Sequence, residues 1–397
     1  MKKLLILLLT ILLVLSGCAE KTAVSGAGRS DVGPLPPESA AAVTEPAPPE
    51  KKDTVSIVMV GDVLLHTPIS QSGEMEDGSW NYDHLFANVK DAVEAADLAL
   101  VNEEVILGGR EMGLSGYPRF NGAFEVADAE VKAGFDVILQ ATNHALDMGK
   151  EGLLNDLGYF RSNYPDISVT GIYDSAAARD AVCVREVNGV KIAVLNYTYS
   201  TNGNAMPDGM PWAVAMLDES SVKADFEKAK AAADFIIVCP HWGTEYSHDV
   251  SRYQRGWAEY FAELGADLVL GAHPHVIEPV EELTRPDGKT MPVFWSVGNF
   301  INSTAATGDG VAERMVGAMA SVTLHVSDDG NVSVESYEAI PLVTHMVFGS
   351  GAPTTYFLSD YTEALAAESE AGRRDPDFSL EFIRALCESV LGRAWKR

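Results

Sequence analysis

The sequence has 397 residues and is strongly acidic, with 57 Asp and Glu against 29 Lys and Arg and a formal net charge of −28 at pH 7. This excess of negative charge disfavours binding to nucleic acid and simple electrostatic attachment to anionic membrane surfaces. The length is sufficient for one large domain with an extension.

The N-terminus has the pattern of an export signal. Two lysines precede the apolar run 4–15, and small residues follow it. The run is too short to span a bilayer comfortably, which favours a cleaved signal over the alternative of an uncleaved anchor. Leu15-Ser16-Gly17-Cys18 resembles a bacterial lipobox, so we expect residues 1–17 to be a signal peptide and Cys18 to be lipidated. The mature protein would then be an extracytoplasmic lipoprotein on the bacterial cell membrane.

Residues 18–52 differ in composition from the rest of the chain. They are rich in Ala, Pro, Glu, Ser and Gly. A segment of this kind cannot bury a core, which predicts a disordered tether between the membrane and the folded domain.

The domain that follows, residues 53–346, begins with alternating strand and helix patterns. We predict strands at 54–60, 97–101, 135–139, 234–238 and 267–270, with helices at 83–96, 124–134, 147–162, 217–233 and 252–264. Hairpins are predicted around Asn188-Gly189, around 285–288 and around 328–330. Residues 347–397 are predicted to form a C-terminal helical extension. The pattern indicates a layered α/β sandwich with mixed sheets.

Polar side chains follow five of the predicted parallel strands, at the edge where such sheets bind ligands. They include five of the nine histidines, and the stiffest arrangement is His273-Pro274-His275. Carboxylates, amides and imidazoles in this mixture are the ligands of metal sites that hydrolyse phosphate or amide bonds. The candidate ligands and acid–base groups at these strand ends are Asp62 and His66, Glu103 and Glu104, Asn143 and His144, His241 and Glu245, and His273 and His275.

Several of these positions also permit structural interpretations. Asn143 and His144 could cap the helix predicted to begin at 147. Glu245 lies in a polar loop and could be merely solvated. Trp242 is interpreted as the wall of a pocket, with a stacking platform for a sugar as the alternative. The Gly-, Met- and Pro-containing loop 201–211, with Tyr197 and Tyr199, could form a lid.

Six short motifs occur in order along the chain and together resemble the CapA family of bacterial capsule and poly-γ-glutamate synthesis proteins. They are Val60-Gly61-Asp62-Val63, Asn102-Glu103-Glu104, Asn143-His144-Ala145-Leu146-Asp147-Met148-Gly149, His241-Trp242-Gly243-Thr244-Glu245-Tyr246, Gly271-Ala272-His273-Pro274-His275 and Ser296-Val297-Gly298-Asn299-Phe300. The resemblance extends from about residue 54 to 342. It implies a relationship to calcineurin-like metallophosphoesterases and hence a four-layer α/β/β/α sandwich.

The resemblance also implies roles for individual residues. Asp62, Glu104, Asn143, His241, His273 and His275 would be metal ligands, and His144 would protonate a leaving group. Asn299 and Glu245 would line the site. The first motif lacks the Asp-x-His of the phosphoesterases, because His66 stands two positions late. The residues therefore fit one divalent transition metal (Mn, Fe or Zn) well, with two ions as the alternative.

The sequence is compatible with two functions. One is a metal-dependent hydrolase that acts on a phosphoester or an amide. The other is a non-catalytic accessory or scaffold for the export or anchoring of an anionic capsular polymer, with capsule-synthesis membrane proteins as candidate partners. Because the chain is acidic, Arg110 and Arg119 are candidates for attracting an anionic substrate. We expect Glu245 or another strand-end acid to orient His144, since Asp147 would lie too far around the predicted helix.

Overall fold

A computed structural model gives the structure of residues 53–303, 310–347 and 352–395. The predicted signal peptide, Cys18 and the predicted tether lie outside these described residues. Within them, no helix has the length and apolar character needed to cross a membrane.

The strands of the described chain are β1 Thr54–Val63, β2 Leu98–Glu103, β3 Val137–Leu139, β4 Ser168–Thr170, β5 Cys183–Val187, β6 Val190–Thr198, β7 Phe235–His241, β8 Leu268–Leu270, β9 Val280–Thr284, β10 Thr290–Phe294, β11 Asn299–Ile301, β12 Val316–Val326, β13 Val332–His345 and β14 Thr354–Phe357. The helices are α1 Thr67–Gln71, α2 Asp83–Phe86, α3 Lys90–Ala95, α4 Glu125–Ala133, α5 Gly149–Asn163, α6 Ala176–Asp180, α7 Glu219–Ala232, α8 Arg252–Leu264, α9 Val311–Arg314, α10 Glu363–Glu368, α11 Glu370–Arg374 and α12 Leu380–Leu391.

These strands form two mixed sheets. One has the order β14-β13-β12-β1-β2-β3-β4, with β11 also paired to β1, and the other has the order β5-β6-β7-β8-β10-β9. Strands β1 to β4 are parallel in the first sheet, and β6 to β8 are parallel in the second. The carboxyl ends of each parallel set therefore lie along one edge.

Both faces of each sheet are buried. Because side chains alternate along a strand, one strand contributes to two different cores. In β1, Ile57 and Met59 pack between the two sheets, whereas Val58 and Val60 pack in a second core. That second core also holds apolar residues of α2, α3 and α4. A third core covers the other face of the second sheet and includes buried residues of α5, α7 and α8. The three cores define four layers and confirm the predicted α/β/β/α sandwich.

The predicted hairpins are also present. Strands β5 and β6 pair antiparallel, and their turn residues Asn188 and Gly189 have φ angles of 51° and 81°. Two successive positive φ angles are the mark of a type I′ turn, the connection that suits the twist of a two-residue hairpin. Strands β9 with β10 and β12 with β13 form the other two hairpins.

Two segments differ from their predicted structure. The helix predicted at 83–96 is divided into α2 and α3, and between them Asn88 donates hydrogen bonds to Thr354 Oγ1 and the Thr355 carbonyl. The C-terminal segment is not purely helical, because β14 pairs with β13. Its last helix, α12, buries Ile383, Cys387 and Leu391 in the core between the sheets.

Candidate metal centre

The ends of five strands from both sheets converge on one place. Asp62 lies at the end of β1 and is in register with Asn299 of β11. His241 is the last residue of β7 and bridges to Ala272, which follows β8. The facing edges of two sheets thus supply side chains that no single loop could bring together.

All six predicted ligands are buried and contact one another: Asp62, Glu104, Asn143, His241, His273 and His275. His241 Nε2 lies 2.8 Å from Asn143 Oδ1 and 3.2 Å from His273 Nδ1. His275 Nδ1 lies 3.1 Å from Asp62 Oδ2. One ligand atom from each of Glu104, His273 and His275 lies within 4.8 Å of the other two.

Glu104 gives the clearest indication that a cation belongs in this cluster. Its carboxylate is fully buried, and neither oxygen has a hydrogen-bond partner. The nearest imidazole nitrogens, His241 Nε2 and His275 Nδ1, lie 3.6 Å and 3.7 Å away, beyond a normal hydrogen bond. A desolvated carboxylate without compensation is costly, and a bound cation would remove that cost. The donors around it are carboxylate, amide and imidazole, which fit a divalent transition metal.

The His-Pro-His segment is held in an unusual backbone conformation. The φ angles of His273 and His275 are 101° and 61°, both in the region that L-residues rarely adopt. Just before it, a Cβ on Gly271 would lie 2.2 Å from the carbonyl oxygen of Trp295, so only glycine fits there. Strained non-glycine residues of this kind concentrate at functional sites. The two residues in this conformation, His273 and His275, are the ones whose imidazoles lie in the cluster.

The protonation of these groups follows from burial and mutual charge. Although burial alone would raise the pKa of Glu104, the neighbouring His275 and His241 hold it below its usual value. Although burial alone would lower the pKa of His275, Glu104 and Asp62 raise it to about 10. Burial lowers the pKa of His273 well below that of a free imidazole. An ionised Glu104 and a neutral His273 are the forms in which these groups bind metals, whereas His275, with its raised pKa, would have to release a proton to bind one.

His144 lies beside the cluster, next to Glu104. Its Nε2 atom is 4.0 Å from Glu104 Oε1, and its Nδ1 atom is 2.7 Å from Asp147 Oδ2. The expectation that Glu245 or another strand-end acid orients His144 is therefore wrong. Residues 143–148 form turns, and α5 begins only at Gly149 with Met148 as its N-cap residue. The chain folds back at these turns and brings Asp147 onto the imidazole, and neither Asn143 nor His144 caps the helix.

Asp147 is itself fixed from two sides. Its Oδ2 atom accepts a hydrogen bond from the Phe120 N–H at 2.8 Å, and its carbonyl accepts one from Arg119 Nη2 at 2.6 Å. The Phe120 ring meets the His144 ring edge-on at 4.7 Å. His144 is thus held in one orientation by a carboxylate and an aromatic ring.

Asn102 belongs to the cluster although the sequence analysis did not assign it a role. Its Nδ2 atom donates to Asp62 Oδ1 at 2.9 Å and lies 3.4 Å from His241 Nδ1. Strand alternation could have identified it, since Asn102 and Glu104 share one face while Glu103 points to the other. Glu103 accordingly lies with Glu130 on the opposite side of the sheet.

Trp242 does not line the site, which corrects the sequence-based expectation. Its side chain is fully buried in the third core, where it stacks on Trp295 and Phe261. Its Nε1 atom donates to the carbonyl of Trp295 at 2.9 Å. Because His241 points towards the cluster, the next residue must point to the helix-covered face.

The remaining predicted site residues have different positions. Asn299 orients His275, with its Oδ1 atom 3.1 Å from His275 Nδ1 and its Nδ2 atom donating to the His275 carbonyl. Glu245 is exposed, and its charge contributes to the raised pKa of His275. Arg119 reaches Asp147, as described above. Arg110 pairs with Glu125 and lies over Trp80, and within the described residues no contact joins it to the cluster.

Part of the loop predicted as a lid lies against the site. Asn143 Nδ2 donates to Asn202 Oδ1, and Asn204 Nδ2 donates to Asp147 Oδ1, both at 3.4 Å. The Tyr199 ring packs 4.6 Å from that of His273. Tyr197 is instead a core residue that bonds to Asp225.

The sequence matches the family described as Bacterial capsule synthesis protein PGA_cap over residues 56–304, which is more than half of the chain. The chain belongs to this family. Membership confirms the resemblance that the ordered motifs carried, since all six motifs fall within the matched residues.

Two curated proteins that are similar to this chain are both named CapA. The chain is 30% identical over 263 residues to the PGA biosynthesis protein CapA of Bacillus subtilis (strain 168), a match that covers 63% of each protein. It therefore spans less than two thirds of the length of that relative. It is 25% identical over 319 residues to the capsule biosynthesis protein CapA of Bacillus anthracis, covering 78% of this chain and 72% of that protein.

A solved structure with a similar arrangement is the 5′-nucleotidase precursor from Thermus thermophilus. The sequences are 15% identical, the TM-score is 0.45, and the match covers 73% of this chain and 54% of that one.

Proposed function

We propose that this chain is a membrane-anchored extracytoplasmic lipoprotein that acts as a metal-dependent hydrolase in poly-γ-glutamate capsule biosynthesis or surface-polymer processing. The family and the names of the two CapA relatives support the association with capsule synthesis. The observation that carries the hydrolytic part is the buried Glu104 carboxylate, without hydrogen bonds, in contact with three imidazoles.

The residues that would hold the metal are Asp62, Glu104, Asn143, His241, His273 and His275. A bound Mn, Fe or Zn ion would supply Lewis-acid polarisation of the bond that is cleaved. Asn102 and Asn299 hold Asp62 and His275 in place through the hydrogen bonds described above. Amide partners of this kind fix the orientation of ligating side chains.

His144 would supply the proton for the leaving group. Its Nδ1–H is donated to the Asp147 carboxylate, which can only accept when ionised, so Nε2 is the nitrogen that faces the cluster. When water attacks a phosphoester or an amide, the bond to the leaving oxygen or nitrogen breaks and that atom takes the proton from Nε2. The Asp147 carboxylate stabilises the imidazolium that donates this proton.

The N-terminal sequence pattern supports the proposed location, and membership of the capsule-synthesis family supports the proposed partners. Lipidated Cys18 would hold the domain at the outer face of the membrane, where capsule-synthesis membrane proteins are the proposed partners. The substrate would be an anionic polymer or a phosphoester.

A scaffold without catalytic activity is the second candidate. The names of both relatives state a role in biosynthesis and none in hydrolysis, which is the observation in its favour. A scaffold has no chemical need for an oriented His144–Asp147 pair beside buried ligands.

The test is hydrolysis by the purified full-length chain in detergent. It is assayed with aryl phosphate mono- and diesters and with poly-γ-glutamate, before and after chelation and after re-addition of Mn²⁺, Fe²⁺ or Zn²⁺. We expect cleavage of at least one substrate class, loss of cleavage on chelation, and recovery with one of the ions. If no ion yields hydrolysis of either class, the scaffold is the correct function.

A further inference from the structure

An acidic protein that acts on an anionic substrate needs local positive charge at its site, which a bound metal ion and nearby arginines can both supply. The net charge of −28 opposes capture of a polyanion, and the exposed Glu245 adds negative charge near His275. Two arginines, Arg119 and Arg314, contact residues that adjoin the cluster. Arg119 lies beside Asp147, and Arg314 lies beside Tyr246.

Arg314 is attached to the site through its backbone. Its carbonyl oxygen accepts hydrogen bonds from Asn299 Nδ2 at 3.1 Å and from Asn302 Nδ2 at 2.6 Å. The same Asn299 bonds to His275 through its Oδ1 atom. The position of Arg314 is therefore fixed relative to the His-Pro-His segment.

The Arg314 side chain rests on an aromatic platform that belongs to the site. Its guanidinium carbon lies 4.9 Å from the centre of the Tyr246 ring, which is 5.8 Å from the His275 ring. Tyr246 is held in a left-handed conformation, with φ of 63°, by a 2.7 Å hydrogen bond from its N–H to the Pro274 carbonyl. The guanidinium is consequently within about 11 Å of the His275 ring, the sum of the two distances. A group a few bonds from the cleaved linkage can span that distance.

The guanidinium contacts Tyr246 through the face of the ring and through a side-chain hydrogen bond, which leaves further N–H groups of its five for an anion. Its Nε atom is buried without a hydrogen-bond partner, and no carboxylate of the described residues lies within ion-pair distance of it. Arg110, Arg179, Arg255 and Arg285 all pair with carboxylates, and Arg119 already donates to Asp147. A planar guanidinium that is stacked and lacks an anionic partner is well suited to bind an oxyanion with two parallel hydrogen bonds.

We infer that Arg314, stacked on Tyr246, binds a second anionic group of the substrate, a carboxylate or a phosphate, next to the linkage that the metal centre acts on. The inference rests on the proposed function for the identity of that linkage. If Arg314 has this role, the preferred substrate carries a negative charge beside the cleaved bond.

Binding measurements test Arg314 without relying on hydrolysis. The full-length chain in detergent is titrated calorimetrically with oligo-γ-glutamate, as the carboxylate source, and with inorganic phosphate. The variants are Arg314→Gln, Arg314→Lys and Tyr246→Ala. Arg384→Gln is the matched control, since it removes the same charge from an exposed position on α12. Melting temperature and metal content are recorded for each variant.

We expect Arg314→Gln to weaken binding of one or both probes by about ten- to hundredfold, the range for a hydrogen bond to a charged group. Arg314→Lys should retain part of the affinity, and Arg384→Gln should retain all of it. Loss for oligo-γ-glutamate alone assigns the site to carboxylates, and loss for phosphate alone assigns it to phosphate. Tyr246 is exposed, so Tyr246→Ala provides an independent variant if Arg314→Gln does not fold; it should weaken binding as well.

The inference is overturned if the wild type binds neither probe, or if Arg314→Gln binds both as the wild type does. It is also overturned if Arg384→Gln causes an equal loss. Absence of hydrolysis in every variant would instead count against the proposed function and would leave the binding result intact.

Discussion

His144 is the residue at which a hydrolase and a scaffold lead to different expectations. In its proposed role, His144 is a proton donor and not a ligand, so its removal should not cause loss of the metal. We therefore expect His144→Asn to lower hydrolysis by about 10²- to 10⁴-fold, the usual contribution of positioned proton transfer. Metal content and melting temperature should be nearly unchanged, and polymer display in cells should decrease.

The matched control is His325→Asn, which alters an exposed histidine on β12. It should behave as the wild type in all four measurements. If His144→Asn loses its metal, His144 is a ligand and the assigned role is wrong. If display in cells is unaffected and the wild type shows no hydrolysis, the protein is a scaffold.

At the scale of single residues, strand ends were predictable and local backbone turns were not. The cluster of six side chains follows from polar residues at the ends of parallel strands. Asp147 could not be placed, because the turns at 143–148 depend on contacts with Phe120 and Arg119 from a distant loop. Trp242 could have been placed by alternation, since it follows a residue that faces the site.

At the scale of elements, α4, α5 and the end of β2 enclose three buried acids. Burial raises the pKa of Glu130 to about 8 and that of Asp156 to about 7, and burial with the adjacent Glu130 raises the pKa of Glu103. A carboxyl group whose pKa is higher in the folded than in the unfolded state stabilises the folded protein at pH values below its unfolded pKa of about 4.5. That contribution is lost as the pH rises towards the folded-state pKa. The free energy of unfolding should therefore fall between about pH 5 and pH 8.

Glu130→Gln should reduce this fall, because the amide is neutral throughout that pH range. Each unit of pKa shift removed corresponds to about 1.4 kcal/mol. Urea unfolding at several pH values measures the slope, and Glu259→Gln, an exposed position on α8, is the control. An unchanged slope in Glu130→Gln would show that this carboxyl does not account for the pH dependence.

The elements themselves were largely predictable from sequence, with identifiable exceptions. Apolar runs ending in polar residues gave β1, β2, β3, β7 and β8, and Asn188-Gly189 gave the first hairpin. Strand β14 was not foreseen, because its edge position depends on pairing with β13 rather than on its own four residues. Short segments of this kind carry little periodicity.

At the scale of the whole molecule, the two ends of the chain should differ in their effect on stability. Removal of residues 1–52 should leave the melting temperature unchanged, since residues 1–17 are predicted to be a cleaved signal and the composition of residues 18–52 cannot support a core. Removal of residues 347–397 should abolish the cooperative transition, because it uncovers the part of the core that contacts Leu380, Ile383, Cys387 and Leu391. Each such side chain contributes about 1.5–3 kcal/mol when buried, against a total stability of about 5–15 kcal/mol.

Differential scanning calorimetry of the two truncated chains decides this point. The expected result is a native-like transition for the first and none for the second. A C-terminally truncated chain that melts as the full-length protein does would show that the segment does not stabilise the core.

Six side chains from two sheets are proposed to hold a divalent transition metal. Elemental analysis of the purified full-length chain, after loading with Mn²⁺, Fe²⁺ or Zn²⁺ and removal of free ion, tests this proposal most directly. We predict one or two ions per chain in the wild type, retention in His144→Asn and His325→Asn, and loss in Glu104→Gln combined with His273→Ala. A wild-type chain that retains no ion would show that these side chains do not hold a metal. A double variant that retains as much metal as the wild type would show the same.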